Sequence, residues 1–299
     1  MSNILITGKS GFLGKILERC LEEDKKSTYG LGNSNLRIDI SKPFDLPQEN
    51  FDIIIHAAGK AHSIPKSKVE EKLFYEVNFD GTKNLCAAID KLAIKPASFI
   101  FISTVAVYGV DKGEMVNELH PLNGETPYSK SKILAENFLI DWSEKSGIKL
   151  AILRLPLVAG QNPPGNLGAM IKGIKTGRYL SIGNADAKKS IVWAEDIANI
   201  IPKISIVGGI YNLTDSYHPS FGELEKHISA ACGKSIPKKI PLILAKAIAR
   251  VGDFLGATSP INTIKLDKIT STLTFDNSKA LKELNWVPSK VLDKIPGIV

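Results

Sequence analysis

Asn3-Ile4-Leu5-Ile6-Thr7-Gly8-Lys9-Ser10-Gly11-Phe12-Leu13-Gly14 is the stretch from which the rest of the chain is read. Asn3–Thr7 is a short apolar strand, and a helical pattern runs on from the glycine turn through Leu21. Strand, glycine turn and helix start in this order form a cradle for a pyrophosphate. Glycine lets the backbone approach closely, and the helix start offers free N–H groups at the positive end of its dipole. The spacing is G-x-x-G-x-x-G rather than G-x-G-x-x-G. The stretch predicts a dinucleotide site built from Gly8, Gly11 and Gly14 with the intervening Lys9, Phe12 and Leu13.

Working outward, a second strand over Ser27–Leu31 ends in Gly32-Asn33-Ser34-Asn35. NAD-selective sites usually place Asp or Glu here to hold the ribose hydroxyls, and Gly32 stands in that position instead. Asn33 and Ser34, with Lys9 and Arg37 near in sequence, could accommodate a 2′-phosphate, which points to NADP(H) rather than NAD(H). The other reading of Asn33 and Ser34 is an ordinary turn. Arg37-Ile38-Asp39-Ile40 reads as a short strand, with Asp39 suited to an adenine amino group. Phe51–His56 is the next strand, running into Ala57-Ala58-Gly59, small residues against which a cofactor can lie in an open α/β sheet. His56 reads as a packed histidine at the strand end. A long helical pattern from Val69 to Lys91 carries Asn78, and the strand Ser98–Ser103 delivers hydroxyls at Ser103 and Thr104.

Pro127-Tyr128-Ser129-Lys130-Ser131-Lys132 opens a further helix, with Thr126 as N-cap and proline in the first turn. Tyr128 and Lys132 are four apart and share one face. A phenol titrates near pH 10 on its own, and a neighbouring ammonium would pull it toward the working range as a reversible proton donor.

The 299 residues, 43% hydrophobic with mean hydropathy near zero, suffice for a large core in one domain or two joined lobes. Ile4-Leu5-Ile6 has no leader of secretory type before it, and no apolar run is long enough to span a bilayer. Pro241–Leu255 is the most apolar segment, but Lys246, Arg250 and Asp253 interrupt it, so it reads as a core or interface helix. Cys20, Cys86 and Cys232 make neither a metal site nor a disulfide framework, which fits a reducing cytoplasm. The net charge of +7 comes from scattered lysines without interleaved aromatics, which argues against a nucleic-acid partner and favours anionic small molecules.

Strand-G-x-x-G-x-x-G, H-A-A-G, V-N-x-x-G-T, S-T-x-x-V-Y-G and Y-x-x-x-K occur together in that order. The combination resembles the extended short-chain dehydrogenase/reductases, specifically the NAD-dependent epimerase/dehydratase family acting on nucleotide sugars. The resemblance covers nearly the whole chain. It implies Thr104, Tyr128 and Lys132 as a catalytic triad, Thr104 rather than Ser103 because it lies four positions before Tyr108 of V-Y-G. It implies Asp39, Ile40, Ala57, Ala58, Gly59, Asn78 and Leu157 on the cofactor side, beside Tyr128 and Lys132. Val105-Ala106 stands where dehydratases of the family carry Asp-Glu, which argues against dehydration.

In the second half, Arg154-Leu155-Pro156-Leu157-Val158-Ala159-Gly160 resembles the family's crossing between its two lobes. Pro163-Pro164-Gly165-Asn166-Leu167-Gly168 opens a helix resembling the family's diphosphate contact, through Asn166 and the amide of Leu167; alternatively Asn166 is a simple N-cap. Lys189 occupies the place of a family arginine seven residues before Asp196 and is expected near the substrate pyrophosphate. The resemblance thus implies a doubly wound parallel (Rossmann) sheet over residues 1–158 and a smaller C-terminal α/β substrate lobe over 159–299, with a segment near 190–203 returning to the first. It implies a 4-keto-sugar reductase using NADP(H), with a UDP-sugar 4-epimerase holding NAD as alternative and a non-catalytic NADP-binding sensor as a third reading. It also implies a homodimer through the helices of Val69–Lys91 and Tyr128–Lys145.

Overall fold

Residues 2–31, 38–61, 63, 65–254 and 262–299 are described in the computed structural model. In chain order the elements of the first half are β1 (Asn3–Thr7), α1 (Phe12–Glu23), β2 (Ser27–Leu31), β3 (Ile53–His56), α2 (Lys68–Tyr75), α3 (Gly81–Asp90), β4 (Ser98–Thr104), β5 (Gly113–Val116), α4 (Pro127–Ser146) and β6 (Lys149–Leu155). The second half adds β7 (Leu157–Ala159), α5 (Gly165–Lys175), β8 (Ser181–Ile182), β9 (Ile191–Trp193), α6 (Ala194–Val207), β10 (Gly209–Asn212) and α7 (Phe221–Ala231). It ends with β11 (Lys239–Ile240), α8 (Leu242–Phe254), α9 (Thr263–Thr270), β12 (Leu273–Phe275), α10 (Ser278–Leu284) and α11 (Val291–Lys294), followed by a 3₁₀ turn over Ile295–Gly297.

Six parallel strands form the central sheet in the order β10-β6-β4-β3-β1-β2. The strands are runs of Ile, Leu and Phe buried on both faces, as a sheet covered by helices on each side requires. One core packs Ile4, Ile6 and Ile100 against Leu17, Ile197 and Ile201 of α1 and α6; the other packs Leu5, Ile54 and Phe99 against Leu85, Ile89 and Leu139 of α3 and α4. The order reverses between β1 and β3, so a crevice opens at the carboxyl ends of those two strands. The remaining strands pair in three short two-stranded sheets, β7 with β9, β8 with β11 and β5 with β12. The segment α6–β10 rejoins the large sheet after α5 has left it.

The Ile38–Ile40 part of the expected short strand is not a strand. Asp39 instead accepts hydrogen bonds from the N–H and Oγ of Ser41, a side-chain turn that competes with sheet pairing. The helical run from Val69 also differs from a regular helix. Glu76–Asp80 forms a π turn between α2 and α3, with the buried Asn78 at its centre.

Candidate active site

The glycine turn is fixed by backbone contact. Gly8 has φ +72°, and a Cβ there would lie 2.6 Å from the Ala58 nitrogen. A Cβ on Gly14 would lie 2.2 Å from the Gly8 carbonyl oxygen. The exits of β1 and β3 and the first turn of α1 therefore touch through backbone alone. Gly11 is the N-cap of α1 and no side chain caps that start, so the amides of Phe12, Leu13 and Gly14 are those a helix start offers to an anion.

Beneath the turn runs a chain of hydrogen bonds. The Ala58 N–H donates to Thr7 Oγ1 (3.1 Å), which lies 2.6 Å from His56 Nδ1. His56 Nε2 lies 3.0 Å from Thr82 Oγ1, whose own hydrogen goes to the Asn78 carbonyl at 2.6 Å. Thr82 can then only accept from Nε2–H, so Nδ1 accepts from the Thr7 hydroxyl and the imidazole is neutral. Complete burial pushes the His56 pKa down to about 3. This is the packed histidine expected from the sequence.

The Asn78 side chain continues the chain. It accepts from the Lys60 N–H (2.7 Å) and donates to the Lys60 carbonyl (3.1 Å) and to Ser131 Oγ (2.9 Å). Ser131 in turn donates to the Tyr128 carbonyl at 2.8 Å. The loop after β3 is thereby tied to the first turns of α4. A Cβ on Gly59 would lie 3.2 Å from Asn78 Oδ1 and 3.4 Å from Lys132 Nζ, so Ala58 abuts the glycine turn while Gly59 abuts Lys132.

Thr126 caps α4 by accepting from the Ser129 N–H, and Pro127 occupies its first turn, as the sequence predicts. Strand alternation at the end of β4 separates the two neighbouring hydroxyls. Ser103 donates to Glu136, whereas Thr104 turns to the Tyr128 phenol and accepts from the Ala106 N–H at 3.2 Å. Burial pushes the Tyr128 phenol up, and the Thr104 hydroxyl pulls it back. This corrects the expectation that Lys132 supplies the pull. The Lys132 ammonium is buried, donates to the Ile102 carbonyl at 2.8 Å and sits 4.3 Å from the Phe101 ring centroid. Burial lowers its pKa to about 8 against the opposing charge of Glu136.

The pairing of Glu136 with Arg154 behind these residues was not read from the sequence, which placed Arg154 only in the segment crossing between lobes. Arg154 Nη2 lies 2.7 Å from Glu136 Oε2 in a buried ion pair, and Arg154 Nη1 donates to the Tyr108 hydroxyl at 3.2 Å. Tyr108 donates to Asn212 Oδ1 at 2.7 Å. The signal was available, since Glu136 lies one turn beyond Lys132 on the face shared with Tyr128. The pair clamps β4, α4 and β6 directly behind Thr104 and Lys132.

The other expected contacts are more dispersed. The Lys9 ammonium is buried and paired with Glu18 of α1, so its charge is already matched. Asp39 is exposed and Ile40 buried, with its carbonyl accepting from Asn84 at 2.9 Å. Asn33 and Ser34 lie outside the described residues. Leu157 is half-buried in β7, packed against the cluster of Ala159, Leu167, Ile171 and Trp193. Pro164, not Asn166, is the N-cap of α5; Asn166 is exposed in its first turn while the Leu167 side chain is buried. Lys189 is half-buried, and burial lowers its pKa against the attraction of Asp111. Asp111 also pairs with Lys268 at 3.1 Å.

A parallel sheet whose switch point carries a glycine turn, faced by a Thr-Tyr-Lys set, defines a dinucleotide-binding α/β protein of the dehydrogenase type. Residues 4–211 match the NAD dependent epimerase/dehydratase family, and the chain belongs to that family of enzymes. It is 28% identical to the N-acetyl-alpha-D-glucosaminyl-diphospho-ditrans,octacis-undecaprenol 4-epimerase of Escherichia coli O157:H7, over 93% of this chain and 88% of that protein. It is 25% identical to the UDP-glucose 4-epimerase of Vibrio cholerae over 98% and 92%, and 25% identical to the GDP-6-deoxy-D-mannose reductase of Pseudomonas aeruginosa over 74% and 77%. The fold is shared with RMD from Pseudomonas aeruginosa complexed with NADPH (TM-score 0.77, 18% identity, covering 99% and 96% of the two chains). Among the described residues no helix is long and apolar enough to cross a membrane.

Proposed function

We propose that the chain is a 4-keto-sugar reductase that accepts a sugar carried on a nucleotide diphosphate and uses NADP(H). The observation that carries this reading is the Thr104–Tyr128 hydroxyl pair, which is backed by the buried Lys132 and lies next to the Ala58–Gly59 turn. The amides of Phe12, Leu13 and Gly14 would receive the dinucleotide pyrophosphate, and Ala57, Ala58 and Gly59 would lie under it. The nicotinamide supplies the hydride when bound. Tyr128 gives its proton to the alkoxide forming at the sugar carbon, and Thr104 holds the same oxygen by a hydrogen bond. Lys132 holds the nicotinamide ribose. The α5 start with Asn166 and the Leu167 amide, together with Lys189, would meet the substrate diphosphate.

Gly32 in place of a ribose-binding acid supports NADP(H). Lys9 pairs with Glu18, so a 2′-phosphate reaching it would have to displace that carboxylate. Val105 and Ala106 open a 3₁₀ turn after Thr104 and offer no second acid or base, which opposes dehydration. Exposed Val69, Leu73 and Leu134 on α2 and α4 support a homodimer through those helices.

A 4-epimerase is the second reading, favoured by the names of the two relatives that cover 93% and 98% of this chain. Cofactor content separates the two. A reductase purifies without dinucleotide absorbance and consumes NADPH with a 4-keto-sugar nucleotide. Stoichiometric NAD in the purified protein, with turnover in the absence of added cofactor, would establish the epimerase instead.

A further inference from the structure

The sequence reading of Pro241–Leu255 is a core or interface helix, and α8 buries only its small residues. Ala245, Ala249 and Gly252 share one buried face, the two alanines packing against Leu266, Ile182 and Ile240. The opposite face carries Ile243, Val251 and Phe254, exposed by 84%, 62% and 93%, with Leu244 and Ile248 alongside. A surface helix of a globular protein ordinarily has this pattern reversed, and an exposed apolar strip of this kind marks an interaction site. The packed neighbour α9 adds exposed Ile264.

Charge identifies the occupant. Between Gly233 and Ser271 stand seven basic residues, Lys234, Lys238, Lys239, Lys246, Arg250, Lys265 and Lys268, against only Asp253 and Asp267. The segment thus carries +5 of the chain's net +7, with Lys268 already paired to Asp111 outside it. Asp253 is held by the N–H and hydroxyl of Thr263. Lys246 and Arg250 lie one turn apart along the edge of the apolar face, the arrangement of a helix whose cations reach phosphates while its apolar side enters hydrocarbon. A second copy docked about a two-fold axis would set two such basic surfaces against each other. At thirteen residues, about 20 Å by the helical rise, α8 is too short to span a bilayer and long enough to lie on one.

We propose that α8 docks the protein on an anionic lipid surface, with Ile243, Val251 and Phe254 in the acyl boundary and Lys246 and Arg250 on headgroup phosphates. The inference does not depend on the enzymatic reading, since neither cofactor nor turnover enters its test. Full-length protein is sedimented with vesicles of phosphatidylcholine alone or mixed with phosphatidylglycerol. Binding is expected to the mixed vesicles, weakening as salt is raised. Binding should fall about tenfold or more in Ile243→Ser/Phe254→Ser and in Lys246→Glu/Arg250→Glu. Both variants change exposed side chains, so their thermal midpoints should match the parent. Absence of binding to the mixed vesicles, or equal binding by the apolar double variant, overturns the proposal. Light scattering that shows the apolar variant dissociating a dimer, with vesicles ignored by the parent, assigns α8 to a second copy and overturns it too.

Discussion

The crevice at β1 and β3 and the outer face of α8 place similar demands on the chain in opposite ways. In the crevice, buried polar groups from six segments satisfy one another, from Ala58 through Thr7, His56, Thr82 and Asn78 to Ser131. On α8, Ile243, Val251 and Phe254 face water, and among its described residues only Ala245, Ala249 and Gly252 are fully buried. The first region is internally complete and holds its geometry through mutual constraint. The second has spent its packing on small residues and leaves its apolar surface for something outside the chain. Substitutions should therefore cost much in one place and almost nothing in the other.

The largest effect is expected at the phenol. Tyr128→Phe should lower kcat by about 10²–10⁴-fold, the range for loss of a positioned proton donor, with NADPH affinity nearly unchanged in a fluorescence titration. Retention of most of the turnover would remove Tyr128 from the chemistry. Next comes the clamp behind it. Glu136→Ala leaves Arg154 buried without its partner and should cost about 3–5 kcal/mol in urea unfolding. The double variant Glu136→Leu/Arg154→Met should recover most of that loss, because removing both charges removes the desolvation cost of the survivor.

His56 gives a smaller, pH-dependent effect. Its folded pKa, lowered to about 3, lies below the unfolded value of 6.5, so between those values the unfolded chain binds the extra proton. Stability should therefore be intact above pH 6.5 and fall on acidification by up to about 1.4 kcal/mol per pH unit from this group. His56→Gln should flatten that part of the unfolding-versus-pH curve, whatever its effect on stability at neutral pH. Smallest of all, Ile243→Ser on α8 should shift unfolding by no more than about 0.5 kcal/mol, the scale of exposed sites. A loss of several kcal/mol there would mean that α8 is buried within the folded chain, and the contrast between the two regions would disappear.

Much of the crevice could be read from sequence because its determinants are local. Strand β1 and the cap of α4 at Thr126 stand where spacing and capping chemistry place them. The choice of Thr104 over Ser103, made on spacing to Tyr108, has its physical counterpart in strand alternation, which turns one hydroxyl to Tyr128 and the other to Glu136. What the sequence did not show depends on partners distant in the chain. The pairing of Lys9 with Glu18 and of Glu136 with Arg154 is set by how helices settle on the sheet, and so is the balance of burial and hydrogen bonding at Tyr128. Arg37–Ile40 reads as a short strand, but over its described part, Ile38–Ile40, Asp39 accepts from its own neighbour Ser41 instead. For α8, composition revealed an apolar helix and could not reveal which of its faces the fold would cover.

Crystallisation of the protein with NADPH tests the central claim most directly. The pyrophosphate should rest on the amides of Phe12–Gly14, and the nicotinamide should lie beside the Tyr128 hydroxyl with Lys132 on its ribose. A dinucleotide bound away from the β1–β3 crevice, or a Tyr128 side chain turned away from the nicotinamide, would contradict the account.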